Sequence, residues 1–164
     1  MIKSLNGISS YFKICVMLLL VILASVGCSA KSNLTDKIIK EIDGECGENG
    51  TCTISIKEVT DFEWDRMVIF QIGSSKSEIS KALGIEYSGP TDMMTGMIFV
   101  KDNKIVHEEI IPYYPEKPSK LWIVLDKTPK EPNCISFMVD NAVLKGIKKK
   151  DDNQFYYRIT NEKE

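Results

Sequence analysis

The chain has 164 residues, 43% hydrophobic and 27% charged, with a formal net charge of −2. That length allows one domain plus a targeting segment. The charge balance lacks the basic excess that a nucleic-acid partner requires, and no phosphate-binding loop or nucleophile elbow occurs in the chain.

The first element is an address. Lys3 and Lys13 precede Ile14 to Val26, an uncharged run of 13 residues. A spanning helix needs about 20 such residues, whereas a secretory signal uses about 7–15. The run ends in Ser25-Val26-Gly27-Cys28, followed by the polar stretch Ser29 to Asn33. These residues resemble the lipobox of bacterial lipoproteins. The resemblance implies cleavage before Cys28, a diacylglycerol on that cysteine and a lipid-anchored position on the cell envelope. Two acyl chains anchor stably where one does not. Ordinary signal cleavage after Gly27 and an uncleaved anchor are the competing readings. The expected organisation is a signal peptide over 1–27, a tether over 28–33 and one domain over 34–164. Without residues 1–27 the chain keeps 137 residues and 19 basic against 23 acidic side chains.

Leu34, Ile38, Ile39 and Ile42 recur at helical spacing before Gly44, which predicts an amphipathic helix over 34–43. Cys46 and Cys52 then bracket a ring rich in turn residues. In an oxidising compartment this spacing predicts a Cys46–Cys52 disulfide, with Cys134 left over and buried at the start of a strand. Pairing of Cys134 with either of the others is the alternative. A zinc site is not expected, because only His107 could join three thiols.

Thr53 to Lys57 alternates as a strand with Cys52, Ile54 and Ile56 on its apolar face. Met67 to Ile72 is a more fully apolar strand. Ser74 and Ser75 are positioned to cap a helix bearing Ile79, Ala82 and Leu83, and Gly84 ends it. Met97 to Val100 and Ile105 to Ile110 form a hairpin about Lys101-Asp102-Asn103-Lys104. Pro112, Pro115 and Pro118 recur at spacing three around Tyr113 and Tyr114, a pattern suited to a polyproline II docking edge or to a stiff crossover. Leu121 to Leu125 is a continuous apolar run suited to a central strand. Strands follow over 135–139 and 142–144, and Lys148 to Asn153 turns the chain into Phe155 to Ile159. Together these elements predict an α+β domain, with two short helices packed on a mostly antiparallel sheet of about six strands.

Asp61-Phe62-Glu63-Trp64-Asp65-Arg66 is the most distinctive string. If extended, it puts Asp61, Glu63 and Asp65 on one face, with Phe62 and Trp64 on the other. Paired carboxylates with His107 could serve acid–base work or hold a hard cation. A solvated acidic face beside core aromatics, with Arg66 pairing a neighbouring acid, is the simpler account. The string resembles one in small bacterial lipoproteins, where it precedes an apolar strand, and the resemblance implies a shared domain without a known activity. Gly73 to Gly84 is loosely similar to the Gly-x-Ser…Leu-Gly helix of BamE-type lipoproteins, which implies an envelope-assembly role; helix capping explains the same residues. The candidate binding residues are therefore Asp61, Glu63, Trp64, Asp65, Arg66, Tyr113 and Tyr114. Neither a catalytic set, a cofactor nor a metal is expected, and the expected partners are a membrane, through Cys28, and an envelope protein. His107, the single histidine, fits an ordinary strand position.

Overall fold

The computed structural model describes residues 33–161. Cys28, the hydrophobic run before it and the tether up to Ser32 lie outside the described residues. Among the described residues the order is α1 (Leu34–Glu45), β1 (Thr51–Ser55), α2 (Ile56–Val59), β2 (Arg66–Phe70), α3 (Lys76–Leu83), β3 (Met94–Lys101), β4 (Lys104–Pro112), β5 (Leu121–Ile123), β6 (Cys134–Met138), β7 (Val143–Asp151) and β8 (Gln154–Thr160).

The fold is α+β, with two four-stranded sheets where one larger sheet was expected. One sheet runs β4-β3-β2-β6 and the other β1-β7-β8-β5. All pairings are antiparallel except β5 with β8. Alternation explains the division. Met67 and Ile69 of β2 and Met97 and Phe99 of β3 share a cluster with Ile54, Leu144, Ile159 and Leu121 from the other sheet. Val68, Phe70, Ile98 and Val100, one residue out of phase, pack with Ile79 and Leu83 of α3 and with Tyr87. Strands apolar on both faces need a cover on each side, and the second sheet supplies one of them.

α1 closes the shared core. Ile38 and Ile42 are fully buried, and a methyl group at Gly146 of β7 would lie 3.0 Å from Ile42, 2.9 Å from Ile54 and 3.1 Å from the Cys52 sulfur. Glycine there lets α1 and β1 settle onto β7. Cys46 and Cys52 form the expected disulfide and tie the end of α1 to β1. Cys134 is a free, buried thiol at the first residue of β6, and burial pushes its pKa up.

The signals of the second predicted helix match α3, whereas α1 runs through Gly44 to Glu45 instead of stopping at 43. Asn33 caps α1 through the Asp36 amide, and Ser75 and Glu78 form a reciprocal capping box on α3. Gly84 ends α3 with a left-handed φ of +70°, a conformation that side chains with a Cβ resist. Both tight hairpins use Asp-Asn in the left-handed region, Asp102-Asn103 and Asp152-Asn153, as the twist of a two-residue turn demands.

Three local expectations are corrected. The first strand stops at Ser55, and Ile56 begins a single helical turn closed by the Thr60 amide on the Ile56 carbonyl. Leu121–Ile123 is an edge strand rather than a central one; only Leu121 and Ile123 are buried, while Trp122 is exposed. Lys148, Lys149 and Lys150 belong to β7, and the chain turns only at Asp152-Asn153. Of the two readings of the proline segment, the structure shows the crossover, which runs between the sheets, and the Lys117 amide closing on the Tyr114 carbonyl breaks any polyproline run.

Residues 33–161 thus contain both apolar clusters, the disulfide and the caps of α1 and α3. A segment that supplies its own core and caps is a self-sufficient folding unit.

Candidate functional site

The acidic string lies between α2 and β2, and each of its members has a structural neighbour. Asp61 pairs with Lys37 of α1 at 3.1 Å. Asp65 accepts from the Asp102 amide at 2.9 Å and from Lys101 Nζ at 3.0 Å. The Asp102 amide and then the Lys101 ammonium hold its carboxyl below the usual aspartate range. Asp65 therefore pins the β3–β4 turn. Glu63 lies 3.9 Å from the same lysine and is almost wholly exposed. Trp64 is a core residue, 4% exposed, whose indole donates to Thr60 Oγ1 at 3.0 Å. Arg66 faces the α3 side of β2 and lays its guanidinium against Gly84 rather than pairing an acid; a cation at a helix C-terminus complements the dipole.

His107 meets this segment through a ring. Phe62 stacks on the imidazole at 4.6 Å between centroids. The carboxylate nearest to it is Glu109, 3.5 Å from Nε2, and Nε2 is buried without a hydrogen bond. Glu109 has another task. From β4 it accepts from the amides of Leu34 and Thr35 and from the Thr35 hydroxyl, so it caps α1 across 75 residues of sequence. This buried acid escaped the sequence reading because its partners are adjacent only in space. Tyr113 donates its amide to the Met93 carbonyl, and Tyr114 is exposed on the crossover. The structure brings Glu63 and Asp65 together at Lys101 and leaves the tyrosines in a separate segment. Among the described residues no three His, Cys, Asp or Glu side chains are placed to hold a metal.

A second region has the shape of a binding site. The face of the β1-β7-β8-β5 sheet turned away from the core forms a groove of about 610 Å³ lined by Trp122, Val124, Ile147, Lys149, Tyr156 and Arg158, with Lys150, Asp151 and Tyr157 at its margin. Register puts the lining side chains on one face. Trp122 and Ile147 both flank Arg158, and Lys149 lies opposite Tyr156. Residues in phase with the core, Leu121, Ile123, Tyr157 and Ile159, point the other way.

The three-lysine run is split by the same alternation. Lys148 bonds Asp43 at 2.7 Å and Lys150 bonds Glu48 at 2.9 Å, and both ammonium groups sit over the Phe155 ring. Tyr157 also donates to Asp43 at 3.0 Å. The Lys148 bond and then the Tyr157 bond hold the Asp43 carboxyl below its ordinary value, while burial and Asp43 push the Tyr157 phenol up. Lys149 lies on the groove side, and within the described residues it has no ion pair. Arg158 keeps a buried Nε without a hydrogen-bond partner among the described residues. No sequence signal marked this face, because the apolar run Leu121–Leu125 gives no sign that two of its residues turn outward.

A wider, more polar opening of about 830 Å³ lies between α3 and the 127–136 segment. Its charged and polar groups are engaged: Lys127 donates to the Thr128 and Glu131 carbonyls, Glu78 serves the capping box, and Asn133 bonds Gly73 and Gln71. No protein-family model matches the chain, and neither curated proteins nor solved structures include a match to it.

Proposed function

We propose that this chain is an exported, lipid-anchored envelope protein whose domain binds a ligand or partner and carries out no chemistry of its own. The observation behind the address is the short run Ile14 to Val26 ending in small residues before Cys28. It suits a cleaved signal better than a span. The disulfide fits the oxidising side of a membrane. The observation behind binding is the open groove with cationic groups at Lys149 and Arg158 that have no ion pair among the described residues.

The alternative, an acid–base or metal-dependent site at Asp61, Glu63, Asp65 and His107, has weaker support. Asp61 and Asp65 are held by lysines and a backbone amide, and the imidazole is stacked on Phe62. An envelope-assembly role would be one form of the binding reading, with a protein as ligand.

The intact mass of protein extracted from membranes tests the address. The expected species begins at Cys28, carries diacylglycerol and lacks two hydrogen atoms at Cys46–Cys52. A chain that retains residues 1–27, or begins at an unmodified Cys28, refutes the anchor. Affinity capture from envelope extracts with residues 29–164 tests the binding reading, and failure to enrich any ligand or partner across conditions counts against it.

A further inference from the structure

We infer that the outer groove of the β1-β7-β8-β5 sheet binds a small aromatic carboxylate, with its ring against Trp122 and Tyr156 and its charge at Arg158 and Lys149. This deepens the binding reading and rests on it.

Size points to a small molecule. The groove volume of about 610 Å³ lies within the range of roughly 300–1,000 Å³ common to small-molecule sites. Shape argues against a bilayer. Ile147 is 6% exposed and the Arg158 Nε is buried, so both lie on the floor, whereas a lipid surface engages side chains that protrude. Trp122 and Val124, the exposed members, form the flank.

Charge gives the sign and the number. Lys149 and Arg158 face the groove without acidic partners among the described residues, on a chain that is acidic overall. A guanidinium presents a planar fork that matches a carboxylate, and the buried Nε anchors the base of this one on the groove floor. Asp151 at the margin repels a second negative charge, which disfavours an acidic peptide and favours a monoanion. The lining supplies the remaining character. Trp122 sits beside Arg158 across the β5–β8 pair, and Tyr156 lies two residues before Arg158 on the same face. Two ring faces beside a cation suit a flat apolar body bearing one anion.

The test is a nuclear magnetic resonance titration of residues 29–164 with benzoate, 2-naphthoate and indole-3-carboxylate, and with the neutral 2-naphthamide. The chain has two tryptophans. Trp64 is buried and bonded to Thr60, and Trp122 is in the groove, so one indole signal is the reporter and the other is the control. At least one carboxylate is expected to move the Trp122 indole and Arg158 Nε signals and leave Trp64 in place. The amide should bind about tenfold more weakly, the usual effect of losing one charge-assisted hydrogen bond. Arg158→Gln should weaken the carboxylate by about the same factor and Lys149→Gln by about threefold, while Lys57→Gln, remote from the groove, changes nothing. An unmoved Trp64 signal in each variant confirms that it has folded. Equal binding of amide and acid, indifference to Arg158→Gln, or no shift at millimolar carboxylate overturns the inference. A response to phosphatidylglycerol vesicles alone overturns it in favour of a membrane surface. Because these measurements use unlipidated protein, they are separate from the anchor test. A partner captured equally well by the Arg158→Gln domain would refute the groove and keep the binding reading.

Discussion

The β4-β3-β2-β6 sheet carries apolar side chains on both faces of its two central strands, and both faces are covered, one by α3 and the other by α1 and the second sheet. The β1-β7-β8-β5 sheet buries one face only. Its other face presents Trp122, Val124, Val143 and an arginine whose Nε has no partner among the described residues. Both sheets have four strands. The difference teaches where selection for packing ends. On the two central strands of the closed sheet, β2 and β3, the apolar positions are explained by neighbours within the described residues. On the open sheet Trp122, Val124 and Val143 face solvent, and a role outside the fold is the better account of them.

Truncation should expose this contrast most sharply. Phe99 is fully buried and packs edge-on against Phe62 and Trp64. Phe99→Ala is expected to cost about 3–5 kcal/mol, whereas Val124→Ala on the open face should stay within about 0.5 kcal/mol. Urea unfolding of the two variants reads both numbers. Comparable losses would mean that the outer face is part of the packed structure, and the contrast would fail.

The disulfide comes next. It closes a ring with a sequence separation of 6 at the corner where α1 meets β1. Loop entropy puts its contribution at about 2–3 kcal/mol. Reduction, or replacement of both cysteines by serine, should lower the urea midpoint accordingly. Amide exchange should rise first in α1 and β1, and the closed sheet should be the last region to lose protection. Uniform loss of protection would show that the two sheets unfold as one unit.

Glu109 connects the sheets through α1. From the edge of the closed sheet it satisfies two amides and a hydroxyl at the start of the helix that covers the other. Glu109→Ala is expected to cost about 1–2 kcal/mol, the range for losing a helix cap, measured by thermal unfolding. Glu109→Gln, which keeps one acceptor oxygen, should recover part of the loss. If alanine and glutamine are equally mild, α1 is held by its apolar face alone.

How much of this was legible in the sequence depends on whether the signal is local. Ser75 and Glu78 are three residues apart, and the capping box between them can be read directly. The Asp102-Asn103 turn and the Cys46–Cys52 bridge are similarly short-range. Glu109 was passed over because its cap acts over 75 residues of separation. Leu121 to Leu125 was misread because a continuous apolar run is the usual mark of a strand covered on both faces. Here alternate members line an open groove. Lys148 to Asn153 reads in the sequence as one turn. Strand alternation instead sends two lysines inward to Asp43 and Glu48 and leaves Lys149 on the groove side.

The smallest expected effect concerns acid, and it separates the sheets by their carboxylates. Asp65 serves the closed sheet at the β3–β4 turn, and Asp43 serves the open one by joining α1 to Lys148 and Tyr157. Both titrate lower in the fold than in the unfolded chain. Their contribution is therefore complete above the ordinary carboxylate range near pH 4 and is lost as pH falls through that range toward the folded values. Asp65→Asn and Asp43→Asn should each flatten the acid limb of a stability–pH curve, with little change in its slope at neutral pH. Because both groups are largely exposed, solvent screens their ion pairs and keeps the effect small. Asp43 reaches β7 and β8 from the core side, opposite the groove. Asp43→Asn should therefore reduce acid sensitivity without altering carboxylate binding near neutral pH. If that substitution weakened binding as much as Arg158→Gln, the two faces of the open sheet would be coupled, and its outer face could no longer be treated as separate from the packed structure behind it.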